Sequence, residues 1–264
     1  LFALGCSVNL FEDVSDTESE EALFFAAKEE VNHGNYAAAI NIFSAMTESF
    51  RNSRDVAYWR ASAHAGRCGL DFLDLIDALD AVGTTNLLVF FLQTWSAGTA
   101  AKVADCVEAE DILMSQASDF TGLETKENLL LVFIEFAKMG SVLSTYADTD
   151  NNSTPDAGFD ACNPGDLADS DAAEVATGFG ISVGALNAIA NDTDIASDQL
   201  TDLTTVCNQL SNLTPPLDEY NFCDLTDASQ VTANQLLGIR SVIQEEQAIG
   251  LGTCNDSLVN CLCL

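Results

Sequence analysis

Apolar residues recur at separations of three, four and seven along nearly the whole chain, and this spacing constrains the fold most. Ala39, Ile40, Phe43 and Met46 are one such set, and they share one face of a predicted helix. The pattern predicts an all-α fold. The predicted helices cover residues 19–33, 36–50, 53–68, 71–80, 86–95, 99–118 and 124–145, and then residues 171–177, 183–190, 196–212, 229–247 and 253–262.

The composition changes after Tyr146, where Pro, Gly, Asn and Asp cluster in a segment typical of a loop. We therefore divide the chain into four parts. These are a signal-peptide remnant with an acidic tether (1–18), a helical array (19–146), an acidic loop (147–172) and a C-terminal helical region (173–264). Within the last part, the glycines of residues 178–184 predict a turn between two helices.

The charge is strongly acidic, with 41 Asp and Glu against 9 Lys and Arg, which gives a formal net charge of −32. Nucleic-acid binding and a polybasic grip on anionic lipid both need clustered Lys and Arg, so this charge argues against them. Two interpretations stay open. The carboxylates either form a solvated surface that keeps the protein soluble, or some of them bind divalent cations.

One local segment favours cation binding, because its side-chain oxygens stand at the spacing that Ca²⁺ requires. The predicted ligands are Asp148, Asp150, Asn152 and Asp156, with Asp160 closing the shell. The segment resembles the Asp-rich loops of calcium-binding proteins such as the thrombospondin type 3 repeat. It departs from calcium loops in having Ser153 in place of the usual Gly and Phe159 where an EF-hand has its Glu. The alternative is a solvated Asp/Asn-rich loop.

The segment around residues 34–43 resembles the tetratricopeptide repeat, in which two helices form a hairpin. The matching residues are Gly34, Tyr36, Ala39, Ile40 and Phe43. The resemblance covers residues 19–68 at most, and it implies an α-solenoid (TPR-like) array with a concave binding surface. A protein or peptide partner is then expected, and an acidic groove prefers a basic one. Candidate surface residues are Tyr36, Tyr58, Trp59 and Arg60.

The first residues, Leu-Phe-Ala-Leu-Gly-Cys, resemble the end of a bacterial lipoprotein signal peptide. The resemblance implies that Cys6 is lipidated and that the polar residues after it form a tether. Ser7 after that cysteine implies the outer membrane, facing the periplasm or the exterior. The alternative is an N-terminal apolar helix with a buried cysteine. The apolar runs 87–92 and 129–134 are far shorter than the roughly 20 residues of a membrane span.

Eight cysteines follow Cys6, and in an exported protein an even number predicts up to four disulfides. Cys207 and Cys223 bracket the Pro-Pro turn and are the first predicted pair. Cys254 is expected to pair with Cys261 or Cys263. Zinc binding is disfavoured because the cysteines lack the paired spacing of a zinc site.

No signature of catalysis accompanies His33 or His64, so we expect neither catalytic residues nor an organic cofactor. The sequence favours a lipid-anchored envelope adaptor that holds a protein partner. The alternative is a periplasmic solute-binding or transport-accessory lipoprotein, similar in general plan to the helical-repeat components of TRAP-type transporters. In that case residues 86–95 and 124–140 would line a cavity. A secreted enzyme is a third, less favoured class.

Overall fold

The prediction of an all-α chain is confirmed by a computed structural model. It describes residues 19–71, 75, 86–190, 197–214, 217–246, 249–256 and 258–263. Those residues form ten α-helices, three short 3₁₀ helices and no β-strand. The α-helices are α1 Glu20–Asn32, α2 Tyr36–Ala45, α3 Glu48–Arg51, α4 Arg54–Cys68, α5 Leu87–Thr94, α6 Ala100–Met114, α7 Thr125–Ala147, α8 Asp169–Ile189, α9 Ser197–Ser211 and α10 Ala233–Gln244. The helix predicted over 71–80 lies largely outside the described residues.

Local signals place the first helices. The side chain of Ser19 accepts a hydrogen bond from the Ala22 N–H and caps α1, and Gly69 ends α4 with a φ of 108°. The single helix predicted over 36–50 is wrong, because α2 ends at Ala45 and Met46 adopts an extended conformation. There the Thr47 N–H donates to Glu20 Oε1 at 3.0 Å, so the chain bends back towards the start of α1.

The turn predicted over residues 178–184 is wrong, because α8 runs unbroken through all three of its glycines. These glycines allow close packing. A Cβ on Gly180 would lie 2.2 Å from the Leu225 carbonyl oxygen, and one on Gly184 would lie 2.2 Å from the Phe120 ring. The helix therefore tolerates the low helix propensity of glycine because neighbouring segments need the space.

The predicted helix over 253–262 is also wrong. The described residues of that segment form turns instead, tied by a disulfide between Cys254 and Cys261 and by a bridge from Cys254 to Glu245. In the segment predicted as a helix over 229–247, α10 begins only at Ala233. Thr232 and Gln235 form a capping box there, and each side chain accepts a hydrogen bond from the other residue's N–H.

Helices α7 and α8 pack along each other at the centre of the main apolar core, with α5 and α6 also against α7. By length and composition alone both helices could cross a membrane, with mean hydropathies of 1.4 and 1.3. However, 78% and 72% of their apolar stretches lie inside the molecule, which is typical of core helices.

The first helices form a second, smaller apolar cluster. The hairpin of α1 and α2 packs on α4, and Gly34 makes its turn with a φ of 74°. The Tyr36 ring lies directly over Gly66, where an added Cβ would stand 2.2 Å from a ring carbon. The buried residues of the cluster are Ala27, Ala39, Phe43, Met46, Val56 and Ala63. Sequence and packing thus agree on a helical hairpin in this region.

Candidate functional site

The acidic loop begins where α7 ends, and it turns sharply around a buried carboxylate. Asp148 is fully buried, and its two oxygens accept the Asn152 N–H at 2.8 Å and the Ser153 N–H at 3.0 Å. Asn151 and Ser153 both adopt positive φ angles, of 55° and 65°. This local conformation brings residues on both sides of the turn towards Asp148.

Three carboxylates meet in this loop. One oxygen from each of Asp148, Asp150 and Asp156 lies within 4.8 Å of the other two. Hydrogen bonds from the Thr149 hydroxyl and N–H lower the pKa of Asp156, so it is ionised at neutral pH. Three clustered carboxylate oxygens on one turn are ligands of the kind that Ca²⁺ takes.

The other two predicted ligands lie differently. The Asn152 side chain holds the loop itself, since its oxygen accepts the Thr154 N–H at 2.9 Å and its nitrogen donates to Asp150 at 2.8 Å. Asp160 belongs to the next turn, where its carboxylate accepts the Cys162 N–H at 2.9 Å. The structure therefore brings together three of the five predicted oxygen donors.

A cavity of about 400 Å³ adjoins the carboxylates, and Asp156 forms part of both. Tyr146 and Phe159 supply its aromatic walls. The Tyr146 hydroxyl donates to an Asp171 oxygen at 2.8 Å and so connects the end of α7 with the start of α8. The loop and cavity thus occupy the junction of the two central helices.

The repeat-signature residues lie together in the α1–α2 hairpin. Ala39 and Phe43 are fully buried, and Ile40 packs against the same cluster. Tyr36 is half-buried with its ring over Gly66, and burial first, then the charge of Asp71, raises its pKa.

The exposed side of this hairpin carries an aromatic patch, which we define as Phe24, Phe25 and Lys28 of α1 with Trp59 of α4. The Lys28 ammonium lies 4.7 Å from the Trp59 ring centre and 5.3 Å from that of Phe24. Phe25 is 67% exposed, and Lys28 lies one turn further along α1. The patch therefore combines the exposed ring of Phe25 with the Lys28 ammonium, which already lies over the rings of Phe24 and Trp59.

The other predicted surface residues on α4 have partners within the chain. The Lys126 ammonium lies 5.2 Å from the centre of the Tyr58 ring, and Arg60 donates to Asn52 Oδ1 at 3.0 Å. His64 contacts Asp105 at 3.2 Å, and Arg67 donates to the same carboxylate at 2.8 Å. Burial lowers the pKa of His64, so the imidazole is neutral at neutral pH. These contacts join α4 to α6 and α7.

A buried charge cluster at the centre of the core was missed by the sequence reasoning. Lys138 and Glu135 of α7 are fully buried, and the Lys138 ammonium lies 2.8 Å from Glu135. It also pairs with Glu110 of α6, and it lies 3.3 Å from Glu174 of α8. Glu and Lys three residues apart within an otherwise apolar helix are the signal that could have revealed it.

The cysteines form four disulfides in the described residues. Cys207 pairs with Cys223, the pair that the sequence favours, and Cys254 pairs with Cys261 rather than Cys263. The other two join distant segments, Cys68 to Cys106 and Cys162 to Cys263. Cys6 lies outside the described residues. Four disulfides are typical of a protein that folds in an oxidising compartment.

The chain matches no protein-family model, no curated protein and no solved structure.

Proposed function

We propose that the chain is a lipid-anchored adaptor of the bacterial cell envelope, in which α1, α2 and α4 bind a protein partner. The observation that carries the proposal is the aromatic patch, where Phe25 stays 67% exposed beside an otherwise packed hairpin. Aromatic side chains are enriched at the centres of protein interfaces because they bury much apolar area at low entropic cost. The lipid anchor is supported by the resemblance of the residues around Cys6 to a lipoprotein signal peptide.

Charge favours a basic partner. Glu21 and Glu29 lie four residues on either side of Phe25 and share its face of α1, and the one lysine of that helix already faces two aromatic rings. A segment with an apolar anchor flanked by Lys or Arg would cover Phe25 and meet these carboxylates. High salt should therefore weaken the complex.

The alternative, a solute-binding accessory of a transporter, requires a cavity between α5 and the first part of α7. Phe91 and Phe136 pack there with ring centres 4.6 Å apart, and both are buried. This contact is typical of two packed core helices rather than of cavity walls, and it supports the adaptor.

Replacing Phe25 tests the partner surface. Phe25→Ser is expected to reduce the amount of any protein that co-purifies from detergent-solubilised envelopes by about tenfold or more, because the apolar anchor is lost. Val259→Ser is the matched control, since Val259, at 58%, is the other exposed large hydrophobic residue in the described part of the chain. Equal recovery of the same protein with both variants would contradict the proposal.

We also propose that Asp148, Asp150 and Asp156 hold a calcium ion that stabilises the junction of α7 and α8. The carboxylate cluster directly follows α7, and the loop that contains it leads to α8. A cation there would offset the mutual repulsion of the three carboxylates.

Calorimetric titration with Ca²⁺ tests the metal proposal. The parent chain is expected to bind with a dissociation constant on the order of 10⁻⁴ M, and Asp148→Asn with Asp150→Asn to abolish the heat. Asp160→Asn is the matched control, because it removes one charge from the same loop but lies outside the cluster. The absence of heat from the parent, or equal loss in the control, would rule out this site.

A further inference from the structure

The buried charge cluster of Lys138, Glu110, Glu135 and Glu174 has no role in either proposed binding site. Three carboxylates surround one ammonium, so full ionisation would leave two uncompensated negative charges in the core. A buried charge without a counter-charge is strongly unfavourable, and such groups are neutralised by binding a proton.

Glu135 is the group placed to hold that proton. It is fully buried, and neither of its oxygens has a hydrogen-bond partner of good geometry, although the Lys138 ammonium lies 2.8 Å from one of them. Glu110 and Glu174 instead reach the edge of the cluster, with 9% and 23% of their side chains exposed. A protonated Glu135 would carry no charge and could donate a hydrogen bond to a neighbouring carboxylate.

We propose that this cluster is a proton-binding switch, which holds α6, α7 and α8 together with one proton bound and loosens their junction when the proton is lost.

The groups around the cluster support this direction. From α6, the exposed Asp111 acts electrostatically on Glu174, and the charges of Glu108 and of Asp227, beside the 3₁₀ helix Ala228–Gln230, act on Asp111. From α8, the Thr177 hydroxyl lies 3.4 Å from the Lys138 ammonium.

Helix α5 carries no titratable side chain. Two arginines of α4 pair elsewhere, Arg54 with Glu127 and Arg67 with Asp105. Arg60 donates to Asn52, and the charge of Asp55 acts on Lys126. Arg240 of α10 pairs with Asp169. Lys138 is therefore the only cation described within the cluster.

The sign of the pH effect follows from the cause of each shift. Burial, then the charge of Glu110, raises the pKa of Glu135, and burial also raises the pKa of Glu174 and of Asp111. A carboxyl group whose pKa rises on folding stabilises the folded state fully below its unfolded pKa of about 4.3. That contribution is lost as the pH rises through the folded pKa. Burial alone would lower the pKa of Lys138, but the carboxylates outweigh it and raise the pKa, so the lysine stays charged over this range.

Glu135→Gln tests the switch because an amide imitates the protonated side chain and cannot lose a proton. As the pH rises above the unfolded pKa of about 4.3, the melting temperature of the parent should fall relative to that of the variant by about 3 °C per pH unit until Glu135 is ionised. The protection of the amides of α6, α7 and α8 against hydrogen exchange, relative to the intrinsic exchange rate at each pH, should fall over the same range in the parent only. Parallel melting curves and exchange rates for the two chains would overturn the proposal.

Glu127→Gln is the matched control, with the same substitution in the same helix but the opposite direction of shift. Burial opposes ionisation of Glu127, yet hydrogen bonds from Arg54 and from the Glu124 N–H lower its pKa. Its stabilisation is present above the unfolded pKa and is lost as the pH falls through the folded pKa, so Glu127→Gln should leave the alkaline decline intact. If Glu135→Gln does not fold, infrared spectra of the parent decide instead. A protonated carboxyl band that persists well above the unfolded pKa of about 4.3 supports the proposal, and the loss of every such band near that pH overturns it.

Discussion

Lys138→Met is expected to lower the free energy of unfolding by about 3–5 kcal/mol at neutral pH. Removing the ammonium leaves buried carboxylates without a counter-charge, which is strongly unfavourable. Methionine fills a similar volume, so the loss would come mainly from electrostatics rather than from a cavity. Urea unfolding followed by circular dichroism measures it. Glu110 would then have lost its ammonium partner, and Glu135 would lie among carboxylates alone.

The control for this prediction is Lys102→Met. Lys102 lies on α6, and its ammonium donates to the exposed Ala97 carbonyl oxygen at 2.9 Å. An exposed contact of this kind contributes less than about 1 kcal/mol. Adding Glu110→Gln to Lys138→Met should recover part of the loss, because the carboxylate that pairs with Lys138 is then neutral. A loss below about 1 kcal/mol for Lys138→Met would show that the cluster is not electrostatically coupled.

Replacing Cys162 and Cys263 together by alanine is expected to lower the free energy of unfolding by about 4–5 kcal/mol. This disulfide joins residues 101 positions apart, so opening it releases the largest loop among the four. Removing a cross-link over a long loop raises the conformational entropy of the unfolded chain the most. Denaturant unfolding of the double variant under oxidising conditions measures the effect.

The control is the double alanine variant at Cys254 and Cys261, which are only 7 positions apart. The same entropic argument gives a loss of about 2 kcal/mol there. Near the Cys162–Cys263 disulfide, Arg240 donates to the Ala161 carbonyl oxygen at 2.6 Å and to that of Leu167 at 2.7 Å. These hydrogen bonds remain when the disulfide is removed. The order of the two losses is the test, and a larger loss from the short loop would contradict the entropic account.

Helix content and caps could be predicted from the sequence because they depend on local spacing. Ser19 begins α1 and Gly69 ends α4, as serine and glycine commonly do, and the Asp/Asn segment forms an irregular loop. The errors arose where tertiary contacts decide. The glycines of α8 look like a turn in isolation, but they lie against Leu225 and Phe120, which are distant in sequence.

The candidate site divides in the same way. The spacing of Asp148, Asp150 and Asp156 predicted a convergence that the structure contains, since all three lie within one short loop. Asp160 lies in the next turn, outside this cluster. Spacing alone does not distinguish a carboxylate of the same turn from one of the next turn. The Lys138 cluster draws its carboxylates from three helices, so only the packing of α6, α7 and α8 brings them together.

Photocrosslinking from α1 tests the central claim, that the aromatic patch binds a partner, most directly. A photoreactive amino acid at position 25, in chains expressed in the native envelope, should give one discrete crosslinked product that weakens at high salt. The same amino acid at position 259 should give no such product. If position 25 gives no crosslinked product, or gives the same products as position 259, the result would contradict the proposal that α1, α2 and α4 bind the partner.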